Sequence, residues 1–436
     1  MLEMYDKLTV LIQEDMKPAL GVTEPGAIAF AVSTALRYVP GEVKKVQVRL
    51  NSGMLKNALT CGVPNCNHFG VLYAAALGAV AADPEKGLEC LDQVREDDNQ
   101  KAEELIRQGK VMVSLTEISS RIFIEAEIET ESGSAKVIIR DAHTNIVYIE
   151  ANHQIILSEA EQGEAGEQAN KNGMEEAEIH HYSFKELWDY IQSVPLKELE
   201  FLQDAHKMNY ALCEEGMENP RTSFSRFLLK QNGETVFSDD ERQTARLLCG
   251  AAIEARVLGL PLPAMSITGS GAHGILATLP LYAAYRVKGY TKEQLLRATA
   301  LSDLVCMYIK EYSGKLSAFC GCAIAAGCGA ACGLTFMRGG DIEAAGRAIR
   351  NIASSITGMI CDGGNQGCVM KGITAVNGAF EAAELAMAGI AVDSIHGING
   401  ETPEETMKNM GYIASPGMVQ TEKAILEIMQ EKMIDE

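Results

Sequence analysis

Positive charge is scarce in this sequence. Its 436 residues include 38 Lys and Arg against 59 Asp and Glu, which gives a formal net charge of −21. Such an acidic chain repels the phosphates of nucleic acids and the anionic headgroups of membranes. We therefore expect no nucleic acid and no membrane surface among its partners.

The sequence also lacks the hydrophobic signals of secretion and membrane insertion. Its first residues carry no basic stretch followed by an apolar run, so we expect no secretory signal. A long apolar run at 318–336 is rich in Ala, Gly and Cys rather than Leu and Ile, and charged segments flank it, which predicts a buried helix. With these features, 12 cysteines favour metal binding or catalysis in a reducing cytoplasm over disulfides.

Signatures of nucleotide and zinc binding are missing as well. The glycine-rich turns at 266–274 and 362–367 neither end in Gly-Lys-Ser/Thr nor form a dinucleotide fingerprint. Glycine there either lets backbone amides approach a small anion or cluster sulfides, or makes tight turns between packed helices. Cys61 and Cys66 lie beside His68, but no second cysteine pair has the spacing of a zinc site.

Apolar periodicity predicts a sheet in the first part of the chain. Residues 42–50 and 110–158 alternate between apolar and polar positions, and Glu-Ser-Gly-Ser at 131–134 predicts a hairpin turn. Helical spacing occupies most of the other residues up to 109, and Thr23 is predicted to be a helix N-cap. This part of the chain should therefore form helices packed on an antiparallel sheet.

A change of composition divides the chain in two. Residues 158–180 are acidic and nearly free of large apolar side chains, which predicts a linker. Helical spacing dominates after it, and no further strand is expected. We predict an α+β fold, with an N-terminal domain at 1–180 and an all-α helical C-terminal domain at 181–436. A ligand site is expected between the two domains.

Three cysteines stand out in the second half of the chain. Cys320, Cys361 and Cys368 lie beside glycines, and the last two are seven positions apart. Three thiolates can hold three irons of a cubane iron–sulfur cluster and leave the fourth iron open as a Lewis acid. The alternative is a packing role, since free cysteine is among the most buried residue types.

Motifs spread along almost the whole chain carry a family resemblance. They are Gly21-Val-Thr-Glu-Pro25, Met54-Leu-Lys-Asn57, His143-Thr-Asn145, Met265-Ser-Ile-Thr-Gly-Ser-Gly271, Leu316-Ser-Ala-Phe-Cys320 and Met359-Ile-Cys361-Asp-Gly363. In this order they resemble the L-cysteine desulfidase family within the serine dehydratase alpha-chain superfamily.

The resemblance implies a lyase that works without pyridoxal phosphate. It implies a 4Fe–4S cluster on Cys320, Cys361 and Cys368, with Cys322 close enough to be an alternative ligand. The implied substrate is a small β-substituted L-amino acid, with L-cysteine converted to pyruvate, ammonia and sulfide. An L-serine dehydratase-like deaminase is the alternative activity. A homodimer is only a default expectation.

The resemblance also assigns a set of side chains to the substrate. The candidate substrate contacts are Thr23, Lys56, Asn57, Thr268, Ser270 and Lys371. From the residues alone, Thr23 would be a plain helix cap and Lys56 a solvated lysine.

One position departs from the family pattern. Where the desulfidases carry a cysteine proposed as acid/base, this chain has Val22, which cannot transfer a proton. Candidate bases are Cys66, His143 and His273, together with His68, and the sequence does not choose among them. A non-catalytic relative that binds an amino acid or senses cluster state is therefore the competing hypothesis.

Overall fold

The computed structural model describes residues 2–159 and 177–434, so most of the predicted acidic linker lies outside the described residues. The predicted α+β fold class is confirmed: helices and strands come first and a mainly helical region follows. The helices of the first part are α1 (Leu2–Asp15), α2 (Thr23–Tyr38), α3 (Ser52–Ala58), α4 (Val71–Val80) and α5 (Glu96–Arg107).

The second part consists mainly of helices packed on one another. They are α6 (Phe184–Ser193), α7 (Leu202–Glu218), α8 (Phe224–Gln231), α9 (Glu241–Val257), α10 (Gly271–Lys288), α11 (Lys292–Ser313), α12 (Gly327–Met337), α13 (Ile342–Ile356), α14 (Gly367–Met387), α15 (Pro403–Tyr412) and α16 (Val419–Ile434). In the described ranges, every helix is too short or too polar to span a bilayer.

The strands form one large and one small sheet. They are β1 (Lys17–Leu20), β2 (Val43–Leu50), β3 (Val111–Leu115), β4 (Phe123–Thr130), β5 (Gly133–Arg140), β6 (Ile146–Ala151), β7 (Gln154–Ser158) and β8 (Pro263–Ser266). The large sheet has the order β3-β2-β4-β5-β6-β7, and the small sheet pairs β1 with β8.

The large sheet follows the predicted alternation. Ile124, Ala126 and Ile128 of β4 are buried on the face that packs on α2, and the predicted hairpin joins β4 to β5. The sheet is not wholly antiparallel, because β2 and β3 pair in parallel. Parallel neighbours need a long crossover, and α3, α4 and α5 supply it.

The small sheet corrects two predictions made from the sequence. A strand after the linker was not expected, yet β8 pairs with β1 in antiparallel register, with Lys17 opposite Ser266 and Leu20 opposite Pro263. Four-residue strands are too short to show a period. Since β1 and a turn at Gly21 precede α2, Val22 occupies the N-cap position and Thr23 is the first helical residue.

The buried run at 318–336 differs from the uniform helix that its composition predicts. A loop with an antiparallel bridge between Phe319 and Ile360 comes first, followed by a π-helical turn at Cys322–Ala326 and then by α12. Turns of π-helix are rare and occur frequently at functional sites. The irregular backbone therefore marks the Cys320 region.

The two hydrophobic cores cross the predicted domain boundary. Leu8 and Ile12 of α1 belong to the core of the helical part, whereas Leu426 of α16 belongs to the core under the sheet. Each half of the chain thus contributes a terminal helix to the other half.

Close packing of β8 on α10 predicts a stability effect at Gly274. A Cβ there would overlap the Met265 carbonyl oxygen, so Gly274→Ala should lower the free energy of unfolding by about 1–3 kcal/mol. Gly378→Ala in α14 is the matched control, because its Cβ would make only ordinary contacts of 3.7 Å or more. The control should raise that free energy by up to about 1 kcal/mol. Urea unfolding of both variants tests this, and equal midpoints would contradict it.

Candidate active site

Two cysteine-bearing loops are tied together by their backbones. The Cys320 amide donates to the Met359 carbonyl at 3.0 Å, and the Cys361 amide donates to the Ala318 carbonyl at 2.6 Å. These bonds flank the bridge between Phe319 and Ile360. Backbone hydrogen bonds therefore bring together two cysteines that are 41 positions apart in the sequence.

A glycine turn brings the third cysteine to the same place. Gly363 has φ +98°, and a Cβ there would lie 2.5 Å from the Lys56 carbonyl oxygen. The Gly364 amide donates to the Asn57 carbonyl at 3.3 Å. Because only glycine allows this approach, the turn before α14 lies directly on the end of α3. Cys368, at the start of α14, has its Sγ 3.4 Å from the Gly363 carbonyl oxygen.

The thiols are close enough to influence one another. Burial raises the pKa of Cys368 to about 12, and the charges of Cys322 and Cys361 add to this rise. A hydrogen bond to Cys322 and burial raise the pKa of Cys320, and the charges of Cys361 and Cys368 act in the same direction. Thiolates at these positions would repel one another, so a cationic partner would stabilise them.

Three lysines surround these thiols. Burial lowers the pKa of Lys56, but the charges of Cys361 and Glu422 outweigh burial and raise it. Burial lowers the pKa of Lys310, and the charges of Cys322 and Cys361 oppose that change. Lys371 makes an ion pair with Asp362 beside Cys361 and Cys368.

The donor set fits an iron–sulfur cluster better than one metal ion. Within 2–159 and 177–434, no group of three or more His, Cys, Asp or Glu side chains is arranged around a single ion. A cubane cluster spaces its thiolates further apart, and thiolates are its usual ligands. Cys320, Cys361 and Cys368 could supply these ligands, and the surrounding lysines would neutralise the charge of such a group.

His273 faces the cysteine loops from the glycine-rich turn of β8 and α10. Its Nδ1 donates to the Thr268 hydroxyl and lies 3.2 Å from the Ile267 carbonyl, and the Thr268 hydroxyl donates to that carbonyl at 2.8 Å. These partners assign the proton to Nδ1, so the lone pair lies on Nε2. A hydrogen bond with Cys320, together with the charge of His273 and a hydrogen bond to it, lowers the pKa of the Cys322 thiol against the effect of burial, so Cys322 is a partner of the imidazole. A Cβ at Gly321 would lie 2.7 Å from Nε2, so this nitrogen is directed at the segment between Cys320 and Cys322.

Glu24 and His143 form a second buried pair. His143 Nε2 lies 3.8 Å from Glu24 Oε1, and Asn57 Nδ2 donates to that oxygen at 2.8 Å. Burial raises the pKa of Glu24, but the interactions with His143, Asn57 and Arg256 outweigh burial and hold it at about 2. The His143 ring lies 3.3 Å from a Cβ built on Gly269, so this pair borders the same turn as His273.

The remaining predicted residues divide into two groups. Thr23 accepts a hydrogen bond from Arg256 at 3.5 Å, and Ser270 is the N-cap residue of α10, so both lie at helix starts beside the site. Cys66 lies apart from the cysteine loops, because the charged side chains that act on its thiol are Glu96 and Arg221. His68, the other candidate base from this part of the chain, lies beside Cys66, since its amide donates to Cys66 Sγ at 3.4 Å.

Lys56 lies in an environment that the sequence did not predict. It is fully buried, and its Nζ donates to the Glu422 carboxylate at 2.7 Å and to the Ser317 carbonyl at 2.9 Å. Glu422 belongs to the last helix, 366 positions away, and no local pattern links the two. Lys310 and Arg256 are further site residues that the sequence analysis missed. Each has an acidic residue within two positions in its helix, Glu254 for Arg256 and Glu311 for Lys310, so no isolated charge marks either one in the sequence.

These features define the class of protein: an α+β chain with a thiol-rich site where its sheet part meets its helical part. The chain belongs to the serine dehydratase alpha chain family, whose profile matches residues 85–427. This confirms the superfamily predicted from the motifs.

Similar proteins cover nearly the full chain. A UPF0597 protein of Clostridium botulinum (strain Langeland / NCTC 10281 / Type F) is 38% identical over 421 residues, which are 97% of either chain. A UPF0597 protein of Caldanaerobacter subterraneus subsp. tengcongensis is 36% identical over 426 residues, 98% of either chain. A UPF0597 protein of Clostridium tetani is 34% identical over 425 residues, again 98% of either chain.

The low pKa of Glu24 predicts a stability difference that depends on pH. Its folded value of about 2 lies below the ordinary 4.5, so the stabilisation is present above pH 4.5 and is lost as the pH falls toward 2. At pH 7, Glu24→Gln should therefore lower the free energy of unfolding by roughly 3 kcal/mol.

The difference between wild type and variant should shrink between pH 4.5 and pH 2. Urea unfolding at several pH values measures it, and Glu14→Gln, at an exposed position, is the control. A difference independent of pH would show that the Glu24 charge is not the stabilising feature.

Proposed function

We propose that the chain is an iron–sulfur-dependent lyase, independent of pyridoxal phosphate, that eliminates the β-substituent of a small L-amino acid. L-Cysteine, giving pyruvate, ammonia and sulfide, is the proposed substrate, and L-serine is the alternative. The observation that carries the proposal is the meeting of Cys320, Cys361 and Cys368 beside His273. Family membership supports a lyase of the serine dehydratase type.

In this proposal the three cysteines hold the cluster. Cys320 and Cys361 are positioned by loop-to-loop backbone bonds and Cys368 by the turn of Gly363. When bound, a 4Fe–4S cluster with an open iron supplies a Lewis acid for the leaving thiolate or hydroxide. The thiol-rich site suits the reducing cytoplasm that we propose as its location.

His273 is the proposed acid/base. Abstraction of the α-proton needs an imidazole nitrogen that carries a lone pair. The partners of Nδ1 leave the lone pair on Nε2, which is directed at the segment of Cys322, a hydrogen-bond partner of His273. The ring is 5% exposed, so Thr268 and the Ile267 carbonyl fix its orientation away from bulk water. Loss of the leaving group would then give an enamine, which hydrolyses to a 2-oxo acid and ammonia.

Val22 supports one alternative function. The residue is 2% exposed, and its Cγ1 would lie 2.8 Å from a Cβ on Gly364, so it packs against the cysteine-bearing turn. Since valine transfers no proton, a relative that binds an amino acid without reaction is the second candidate. Amino-acid-dependent thermal stabilisation without turnover would be its signature.

Replacement of a cluster ligand should remove both metal and activity. Cys361→Ser should lower the iron and acid-labile sulfide of anaerobically purified protein and abolish pyruvate release from L-cysteine or L-serine. Cys328→Ser, in the buried core of α12, is the control and should retain iron. Wild-type iron and turnover in Cys361→Ser would contradict the ligand assignment.

Replacement of the proposed base should slow turnover without loss of metal. His273→Gln should lower kcat by about 10²–10⁴-fold, the usual contribution of a general base, at unchanged iron content. His153→Gln, at an exposed position in the turn before β7, is the control. A normal kcat in His273→Gln would contradict the assignment of His273 as the base, and His143 would be the next candidate to test.

A further inference from the structure

Arg256 is a buried cation without an assigned role in the proposed reaction. It is the penultimate residue of α9 and only 4% exposed. Its Nη2 donates to Thr23 Oγ1 at the long distance of 3.5 Å, and its Nε has no hydrogen-bond partner among the described residues. Buried polar groups are usually paired. Arg246 and Arg350 also have a buried Nε without a partner among the described residues, so what distinguishes Arg256 is the surroundings of its guanidinium.

Two helices begin at this guanidinium. In the described part of the chain, no side chain caps α2, which starts at Thr23, or α10, which starts at Gly271. A Cβ on Gly271 would lie 2.7 Å from Arg256 Nε, so the start of α10 packs directly against the guanidinium. Uncapped helix N-termini present free N–H groups and favour an anion.

The neighbouring carboxylate does not fill this need. The charge of Arg256 contributes to the low pKa of Glu24, after burial and the interactions with His143 and Asn57. Asn57 already donates to the Oε1 of Glu24. A structural role at the C-terminal end of α9 would explain the positive charge of Arg256, but it would not explain why two helix starts without a side-chain cap lie beside the guanidinium.

We infer that Arg256 binds the α-carboxylate of the amino-acid substrate, with the Thr23 hydroxyl and the starts of α2 and α10 as its partners; this rests on the proposed lyase function. A guanidinium fork matches a carboxylate with two parallel hydrogen bonds. The site therefore selects small free amino acids and rejects their amides and peptide-linked forms.

Calorimetric binding tests this independently of turnover. The probes are L-serine, L-serinamide and pyruvate, and the proteins are anaerobically purified wild type, Arg256→Gln, Arg256→Lys and Arg246→Gln. Arg246 lies on the same helix and contacts Gln243 and Gln231 instead, so its variant is the matched control. Charge-assisted hydrogen bonds predict a Kd for L-serine at least about tenfold weaker in Arg256→Gln.

Arg256→Lys keeps the charge but not the fork, so its Kd should lie between those of the wild type and the Gln variant. L-Serinamide should bind all four proteins weakly and to a similar extent. If Arg256→Gln does not fold, Arg256→Lys decides: an unchanged Kd for L-serine would overturn the assignment. Wild-type protein that binds neither L-serine nor pyruvate would overturn it as well. Arg256-dependent binding without turnover would remove the lyase function and leave the carboxylate site standing.

Discussion

The ion pair between Lys56 and Glu422 is the interaction on which the site depends. Lys56 is fully buried, and a buried ammonium is unfavourable by several kcal/mol unless it is paired and hydrogen-bonded. The pair joins α3 to α16, and the second bond of Nζ, to the Ser317 carbonyl, joins both to the loop that carries Cys320. The ammonium of Lys56 thus connects α3, the last helix and the loop of Cys320, because its burial requires partners from all three.

Close backbone approach is the second constraint, and glycine satisfies it where the loops meet. Gly363 brings the Cys361 and Cys368 segment onto the end of α3, and Gly274 lets α10 begin directly on β8. The pairing of β8 with β1 then sets the starts of α2 and α10 side by side. Strands and helix ends therefore position the loops and turns that carry the polar groups of the site.

The sequence predicts what a local pattern can encode. Alternation in β4 and the hairpin after it predict the sheet, and the order of motifs predicts the family. The pairing of β1 with β8 cannot be predicted from the sequence because a strand of four residues shows no period. After β1, the N-cap residue of α2 is Val22, and Thr23 is the first helical residue. The role of Glu422 cannot be predicted because its partner, Lys56, is 366 positions away in the sequence. Cys66 is a candidate base by its residue type, but the fold places it apart from the loops of Cys320 and Cys361.

Metal binding and proton transfer rest on separate parts of the structure. Val22 packs against the Gly364 turn, so a valine at this position still supports the loop that carries Cys361 and Cys368. Valine at position 22 lacks the acid/base group of the family cysteine. His273 lies in the glycine-rich turn before α10, and its hydrogen bond with Thr268 orients its Nε2 toward the cysteine loops. The change at position 22 thus leaves the proposed cluster site and the Arg256 carboxylate site intact. The substitution of valine for cysteine therefore affects only one step of the proposed reaction, a proton transfer. A buried and oriented imidazole is chemically able to perform that step.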